Sequence, residues 1–326
     1  MPKIVLIPSN ISEPGKEFLR QHGYTIKMGK GLSEDEIIAD AMGVDAILSR
    51  NEKITKRILD AAVSVKVIGK HGVGLDNINV AHAEALGIWV TNGPYSNTLA
   101  VAERTIGFII DAAKRTVLMD ALARKGDYES RNRIKGIDIE GKVLGIIGLG
   151  RIGSMVAKKA CFGLGMKIIG YDPFISADRV SAEIEIQQSV EDVWRKADVV
   201  SLHLPSTPET RASVGMEQFS QMKRSAIFIN CARGDIVKES ELIEALQKGI
   251  IAHAALDVYE KEPPAVDNPL FTMDNVTLSP HNASLTIETT DRMGLHAAIG
   301  IHEVLSATKP SWPANHPEHP RQLVES

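Results

Sequence analysis

Cysteine is scarce in this chain. Only Cys161 and Cys231 occur among 326 residues, and their separation matches no zinc or redox spacing, so a disulfide scaffold and a cysteine metal site are both excluded. The two read as reduced thiols packed as small side chains, and no metal site is expected. Long apolar runs are missing as well. The N-terminus, MPKIVLIPSN, has a four-residue apolar run stopped by Pro8, short of a signal-peptide core, and no later run approaches membrane-spanning length. The expectation is a cytoplasmic protein without a membrane partner. There is no basic block, and the net charge is −4, which argues against nucleic acid as the main partner. No internal repeat of solenoid length is present. What remains is an ordinary globular composition, 44% hydrophobic and 24% charged, in a chain long enough for two domains.

The most informative stretch runs from Lys142 to Asp172. Val143 to Ile147 is an apolar run without polar alternation, as suits a central parallel strand buried on both faces. Gly148, Gly150 and Gly153 then form G-x-G-x-x-G. The first glycine permits a tight turn, the second lets backbone approach a pyrophosphate, and the third lets the following helix pack on the strand. The free amides at that helix's start, near Arg151 and Ile152, make a phosphate site. A second strand, Lys167 to Tyr171, ends in Asp172, about 20 residues on, where an acid accepts the adenosine 2′-hydroxyl and repels a 2′-phosphate. NAD is therefore favoured over NADP.

Strand and helix patterns alternate through the first ninety-five residues or so: strands at 3–8, 24–28, 45–49, 65–69 and 88–91, helices at 14–22, 34–42, 54–62 and 80–86. This predicts a parallel α/β sheet with helices on both faces and no phosphate motif of its own. Apolar positions at helical spacing from Asn97 to Lys114 predict a long crossover helix. Residues 117–140 are polar and charged, an arm on the surface or on a partner subunit, or a plain exposed linker. After Asp172, strands at 197–204, 226–230, 252–258 and 276–278 with helices at 216–222 and 239–248 complete a doubly wound sheet. A last long helix spans 284–307 with Ser284 as its cap, and the Pro- and His-rich remainder reads as irregular.

Ligands of doubly wound sheets sit beyond the C-terminal ends of the strands. The polar residues falling there are His203, Cys231 with Arg233, Asp257 to Glu262, and His281. Arg233 has a planar fork suited to a carboxylate, against the plainer reading of a surface salt bridge. His281 has the pKa range of an acid–base group, although an isolated histidine is more often structural. Glu262 is either a solvated charge or the carboxylate that orients His281.

Taken together, the segments KHGVGLDNINV at 70–80, SNTLAVAE at 96–103, GLGRIG at 148–153, HLPSTPET at 203–210, NCARGDIV at 230–237, ALDVYEKEPP at 255–264 and SPHNAS at 279–284 resemble the D-isomer-specific 2-hydroxyacid dehydrogenase family, which includes phosphoglycerate dehydrogenase and hydroxypyruvate reductase. The resemblance covers nearly the whole chain. It implies a Rossmann-type dinucleotide-binding domain over 98–285 and a smaller, discontinuous, flavodoxin-like substrate domain from 1–97 and 286–326. It implies catalysis by Arg233, Glu262 and His281, with hydride passing between nicotinamide and C2 of a small D-2-hydroxy or 2-keto acid. Val73 and Gly74, with Asn97 nearby, would hold the substrate carboxylate. NAD would be met by Arg151 and Ile152 at the pyrophosphate and by Asp172 at the ribose. His203, Leu204 and Pro205 would lie on the adenosine side, Cys231 and Ala232 on the nicotinamide side, and Asp257 at the carboxamide. A homodimer is implied, which gives the 117–140 arm a partner-facing role.

Phosphoglycerate-specific members tend to carry Arg-Ser after the third strand, where this chain has Ser49-Arg50. The regulatory extension of larger phosphoglycerate dehydrogenases is not in this sequence, so serine feedback through it is not expected. Glu262 argues against formate dehydrogenase relatives, which use glutamine, and Val73 against phosphite dehydrogenases, which need lysine. Asn282 differs from the commoner small or aliphatic residue. Glyoxylate, hydroxypyruvate and 3-phosphoglycerate stay open as substrates. The alternative is an NAD(H)-sensing interaction protein of the corepressor type, with little turnover.

Overall fold

The computed structural model describes residues 2–176 and 180–322, and the chain divides into two compact units, one made of Met1–Asn97 with Leu285–Ser326 and the other of Thr98–Ser284.

The first unit opens with β1 (Ile4–Ile7), α1 (Glu13–Gln21), β2 (Thr25–Met28), α2 (Glu34–Ala41), β3 (Ala46–Ser49), α3 (Lys56–Ala61), β4 (Val67–Lys70), α4 (Val80–Ala85) and β5 (Trp89–Thr91). Every strand pairing is parallel, in the order β2-β1-β3-β4-β5, the flavodoxin-like winding. β3 and β4 are buried along their whole length, which explains why their sequences run apolar without alternation. Helix starts are set locally. Ser33 and Glu36 form a reciprocal capping box for α2, a side-chain answer to amides that the helix leaves without partners.

The second unit begins with α5 (Thr98–Lys114), which stops at Arg115 in the left-handed region (φ 58°) before α6 (Thr116–Arg124) and α7 (Ser130–Arg133). It continues through β6 (Val143–Ile147), α8 (Arg151–Leu164), β7 (Lys167–Tyr171), β8 (Ile184–Ile186), α9 (Val190–Lys196), β9 (Val199–Leu202), α10 (Met216–Gln221), β10 (Ile227–Asn230), α11 (Glu239–Gln247), β11 (His253–Leu256) and β12 (Val276–Leu278). The seven parallel strands run β12-β11-β10-β9-β6-β7-β8. This is the doubly wound dinucleotide-binding order with one further strand, and it reverses beside β6, the strand that feeds the glycine turn. Phe228 sits in the core of this unit between Trp194 and Phe219, edge-on to the latter at 5.3 Å.

The chain then returns to the first unit as α12 (Ile287–Leu305). Its start differs from the sequence expectation. Thr286, not Ser284, caps it, accepting from the Thr289 amide at 3.2 Å. Both residues are good caps, and apolar periodicity alone does not choose between them. α12 lies close on β4, since a Cβ on Gly69 would come 2.6 Å from the Ala297 carbonyl oxygen. Three further elements differ from the sequence expectation. β8 and α9 are short, too short for a period to settle the element, and α6 has Val117, Leu118, Ala121 and Leu122 at helical spacing but in a charged segment, and buries none of its side chains. The arm expected at 117–140 is accordingly helical in part, at α6 and α7. Among the described residues no helix is long and apolar enough to cross a membrane, and no group of three or more His, Cys, Asp or Glu is arranged to hold a metal.

Candidate active site

The glycine turn has the shape that a dinucleotide requires. Gly148 has φ 95°, and a Cβ there would come 2.5 Å from the His203 carbonyl oxygen; a Cβ on Gly153 would come 2.1 Å from the carbonyl oxygen of Gly148. No side chain fits at either place. Gly150, the cap of α8, faces open space, so a ligand can reach the backbone where the helix dipole favours a phosphate. Asp172 braces the turn, its two carboxylate oxygens accepting from the amides of Leu149 and Phe174, both at 2.9 Å. The residues present therefore fit NAD. His203 offers backbone more than side chain: its ring bonds Ser201 Oγ at 2.9 Å, and burial pushes its pKa down to about 4.

Beyond β10, Asn230 shapes the loop that carries Arg233. Its Oδ1 accepts from the Ala232 amide and its Nδ2 donates to the Arg233 carbonyl, both at 2.9 Å. Arg233 Nη1 donates to the Ala232 carbonyl at 2.8 Å. Immediately after it, Gly234 lies against the loop that follows β11, where an added Cβ would come 1.9 Å from the Tyr259 carbonyl oxygen.

That second loop carries Glu262. One of its oxygens accepts from the Tyr259 amide at 3.1 Å, and the other lies 2.6 Å from His281 Nδ1. His281 occupies the left-handed region, φ 50°, uncommon for a residue with a side chain although histidine is among those enriched there. Asp257 holds it in place. The Asp257 carbonyl accepts from the His281 amide at 2.7 Å, and its buried carboxylate accepts from Ser279 Oγ and from the amides of Asn282 (2.9 Å) and Ala283 (3.0 Å). The phenol of Tyr259 donates to the Ser279 carbonyl at 3.2 Å. Asn282 also has a partner here, since Arg104 Nη2 donates to its Oδ1 at 3.4 Å.

The electrostatics follow from this geometry. The hydrogen bond to Glu262 raises His281 above its ordinary 6.5 against the pull of burial, and the Arg233 charge acts the other way. Glu262 feels burial upward, but its bonds to His281 and to the Tyr259 amide outweigh it and leave the carboxyl below 4.5. The pair thus favours imidazolium and carboxylate together, with the Arg233 charge acting on both partners. Tyr259 and Ser279 leave no sign in sequence order as supports, because their partners come together only in the fold, whereas Asn230 bonds backbone two and three residues on, a local turn use of asparagine.

Cys231, after β10, is a different kind of group. Burial pushes its thiol up to about 12 against the help of a hydrogen bond with Thr105, so at pH 8 it carries almost no thiolate, the reactive form. In the native protein iodoacetamide is expected to leave Cys231 unmodified, with labelling only at the less buried Cys161, as read by peptide mass spectrometry. Rapid labelling of Cys231 would contradict this.

Val73, Gly74 and Asn97 lie in the first unit. Gly72, with φ 129°, leads into the turn after β4, and the Val73 carbonyl accepts from Asn92 Nδ2 at 2.8 Å. Among the described residues the Val73 and Gly74 amides make no backbone hydrogen bond.

Residues 106–283 match the model of the D-isomer specific 2-hydroxyacid dehydrogenase, NAD binding domain. The chain is 39% identical to the D-3-phosphoglycerate dehydrogenase of Methanocaldococcus jannaschii over 322 residues, covering 98% of this chain and 61% of that protein. It is 39% identical to the Archaeoglobus fulgidus D-3-phosphoglycerate dehydrogenase over 298 residues, covering 91% of this chain and 56% of the relative. It therefore spans somewhat over half the length of these relatives. Among solved structures, the TT0316 protein of Thermus thermophilus superposes with a TM-score of 0.89 at 32% identity, covering 96% of this chain and all of the other. The NADPH-dependent glyoxylate/hydroxypyruvate reductase of Sinorhizobium meliloti, in complex with NADP and malonate, gives 0.88 at 25% identity, covering 99% of this chain and all of the other.

Proposed function

Since the chain belongs to the D-isomer specific 2-hydroxyacid dehydrogenase family, we propose that it is an NAD-dependent oxidoreductase interconverting a small 2-keto acid and the D-2-hydroxy acid. The observation that carries this reading is the Glu262–His281 contact at 2.6 Å, with the Arg233 charge acting on both groups. NAD, when bound, supplies or accepts the hydride. With Nδ1 committed to Glu262, His281 Nε2 is the atom that gives a proton to the keto oxygen in reduction and takes it back in oxidation. Arg233 holds the substrate carboxylate and carbonyl by a charge-assisted fork, and the Val73 and Gly74 amides, with Asn97, hold the carboxylate. At the cofactor, Gly148, Gly150, Arg151, Ile152 and Gly153 take the pyrophosphate and Asp172 the ribose. Leu204 and Pro205 with the His203 backbone lie by the adenosine, and Cys231, Ala232 and Asp257 by the nicotinamide. The Asp257 carboxylate also accepts three bonds from residues 279–283.

The reading extends to a cytosolic homodimer joined through the second unit, supported by two free thiols and by the exposed Val117 and Tyr128 in and beside α6. The curated relatives are named as dehydrogenases, which favours turnover over a purely NAD-sensing role. The test is oxidation of NADH, with NADPH in parallel, against glyoxylate, hydroxypyruvate, pyruvate, 2-oxoglutarate and 3-phosphohydroxypyruvate. The expected result is turnover of one or two acids with a strong NADH preference from the Asp172 carboxylate. Equal use of NADPH would remove that role from Asp172. Tight NADH binding without turnover of any acid would favour the sensing protein.

A further inference from the structure

In the first unit the free edge of β5 is covered by the chain that follows α12. The Ala314 amide donates to the Val90 carbonyl at 2.7 Å, and Thr91 bridges to Pro313 in antiparallel fashion. Asn315, almost fully buried, fixes this contact with both ends of its amide: Oδ1 accepts from the Val90 amide at 2.8 Å and Nδ2 donates to the Ile88 carbonyl at 2.9 Å. One step further along β5, the Trp312 carbonyl accepts from the Asn92 amide at 3.2 Å, and the Trp312 ring lies 4.5 Å from the ring of His296 in α12. The segment 312–315 thus fixes the backbone at Asn92. The side chain of Asn92 points to the neighbouring turn, where Nδ2 donates to the Val73 carbonyl at 2.8 Å, and alongside it the Gly93 amide donates to the Gly72 carbonyl at 2.9 Å. Ser96 closes the other side of this loop, its Oγ and amide both donating to the Gly93 carbonyl.

A peptide plane is rigid, so a bond at the Val73 carbonyl sets the direction of the Gly74 amide in the same plane. We propose that Asn92 is a positioning residue for the substrate carboxylate, anchored by the segment 312–315, and that it acts by aiming the amides after β4. This rests on the reading of Val73 and Gly74 as carboxylate donors given above. It adds a specific division of labour. Asn92 touches neither the reacting atoms nor the cofactor turn, so its loss weakens hold on the acid while hydride transfer and NADH binding are unchanged.

The test uses Asn92→Ala, Asn92→Asp and Asn315→Ala in the full chain. Asn92→Asp keeps the shape, removes the donor and sets a carboxylate against the Val73 carbonyl. The KM for the keto acid is expected to rise about tenfold in Asn92→Ala, as loss of one hydrogen bond allows, and further in Asn92→Asp. Asn315→Ala should give a smaller rise, and kcat and the KM for NADH should change less than twofold or so in all three. Inhibition of the NADH complex by oxamate, a carboxylate that is not reduced, is measured alongside, with melting temperature to confirm folding, and its inhibition constant is expected to rise with the acid KM in each variant. Unchanged acid KM and unchanged oxamate inhibition in Asn92→Asp overturn the proposal, as does an equal fall in kcat on every substrate. If the unaltered protein reduces no acid, the functional reading fails and oxamate binding to the NADH complex decides the positioning role: binding that weakens in Asn92→Asp upholds it, and absent or unchanged binding rejects it.

Discussion

Replacing His281 by alanine is expected to lower kcat for keto-acid reduction by about 10²- to 10⁴-fold, the usual contribution of a positioned acid–base group, with NADH affinity unchanged. The expectation follows from the separation of tasks within the second unit. The glycine turn after β6 and Asp172 are built from their own hydrogen bonds, none of which involves His281, so the cofactor platform survives the substitution. What is lost is the one imidazole that Glu262 and the Asp257 carbonyl hold in a left-handed backbone conformation. Steady-state kinetics and NADH fluorescence titration on the same preparation read the two effects separately. A variant with near-normal kcat would take His281 out of the mechanism.

Gly234→Ala is the second large effect, although Gly234 touches no substrate in this account. A methyl group there would come 1.9 Å from the Tyr259 carbonyl oxygen and 2.0 Å from its carbon, backbone atoms that no rotamer change moves away. One of the two loops must shift, and both carry site residues: Arg233 is adjacent on one, and the other carries Glu262 three residues beyond Tyr259. Overpacking of this kind costs about 1–3 kcal/mol in stability, and a displacement near 1 Å at a reacting centre costs roughly 10²-fold in rate. A lower melting temperature together with a kcat/KM loss near that size is the expected result. Wild-type kinetics in a folded Gly234→Ala protein would show that the loops move apart without cost to the site.

Much of this was legible in the order of residues. The buried strands lack alternation because helices cover both faces, and that single fact made β3, β4, β6 and β10 visible along with their parallel winding. The glycines of the β6 turn carry their geometry in their identity, since each intrudes on backbone or lies open where a ligand approaches. Arg233 and His281 were visible as polar residues at strand ends. The supports were not. Asn230, Tyr259 and Asn92 act through one or two side-chain hydrogen bonds to main-chain groups, a use that leaves no mark in composition. α6 is hard to read because its apolar residues stand in a charged segment and none of them is buried, and Ser284 and Thr286 are equally plausible caps for α12 until the Thr289 amide is located.

The central claim is that reduction runs on a protonated His281 whose charge Glu262 supports, and the pH dependence of kcat/KM for the keto acid tests it most directly. In reduction the imidazolium is the proton donor, so activity should be full below the pKa of His281 and fall as pH rises through it. That alkaline limb should lie above the ordinary 6.5, because the bond to Glu262 raises the group. In Glu262→Gln the largest raising cause is gone, and the limb should move to lower pH while Arg233 continues to bind the acid. A limb that keeps its position when Glu262 becomes glutamine, or activity flat through neutral and alkaline pH, would contradict the account.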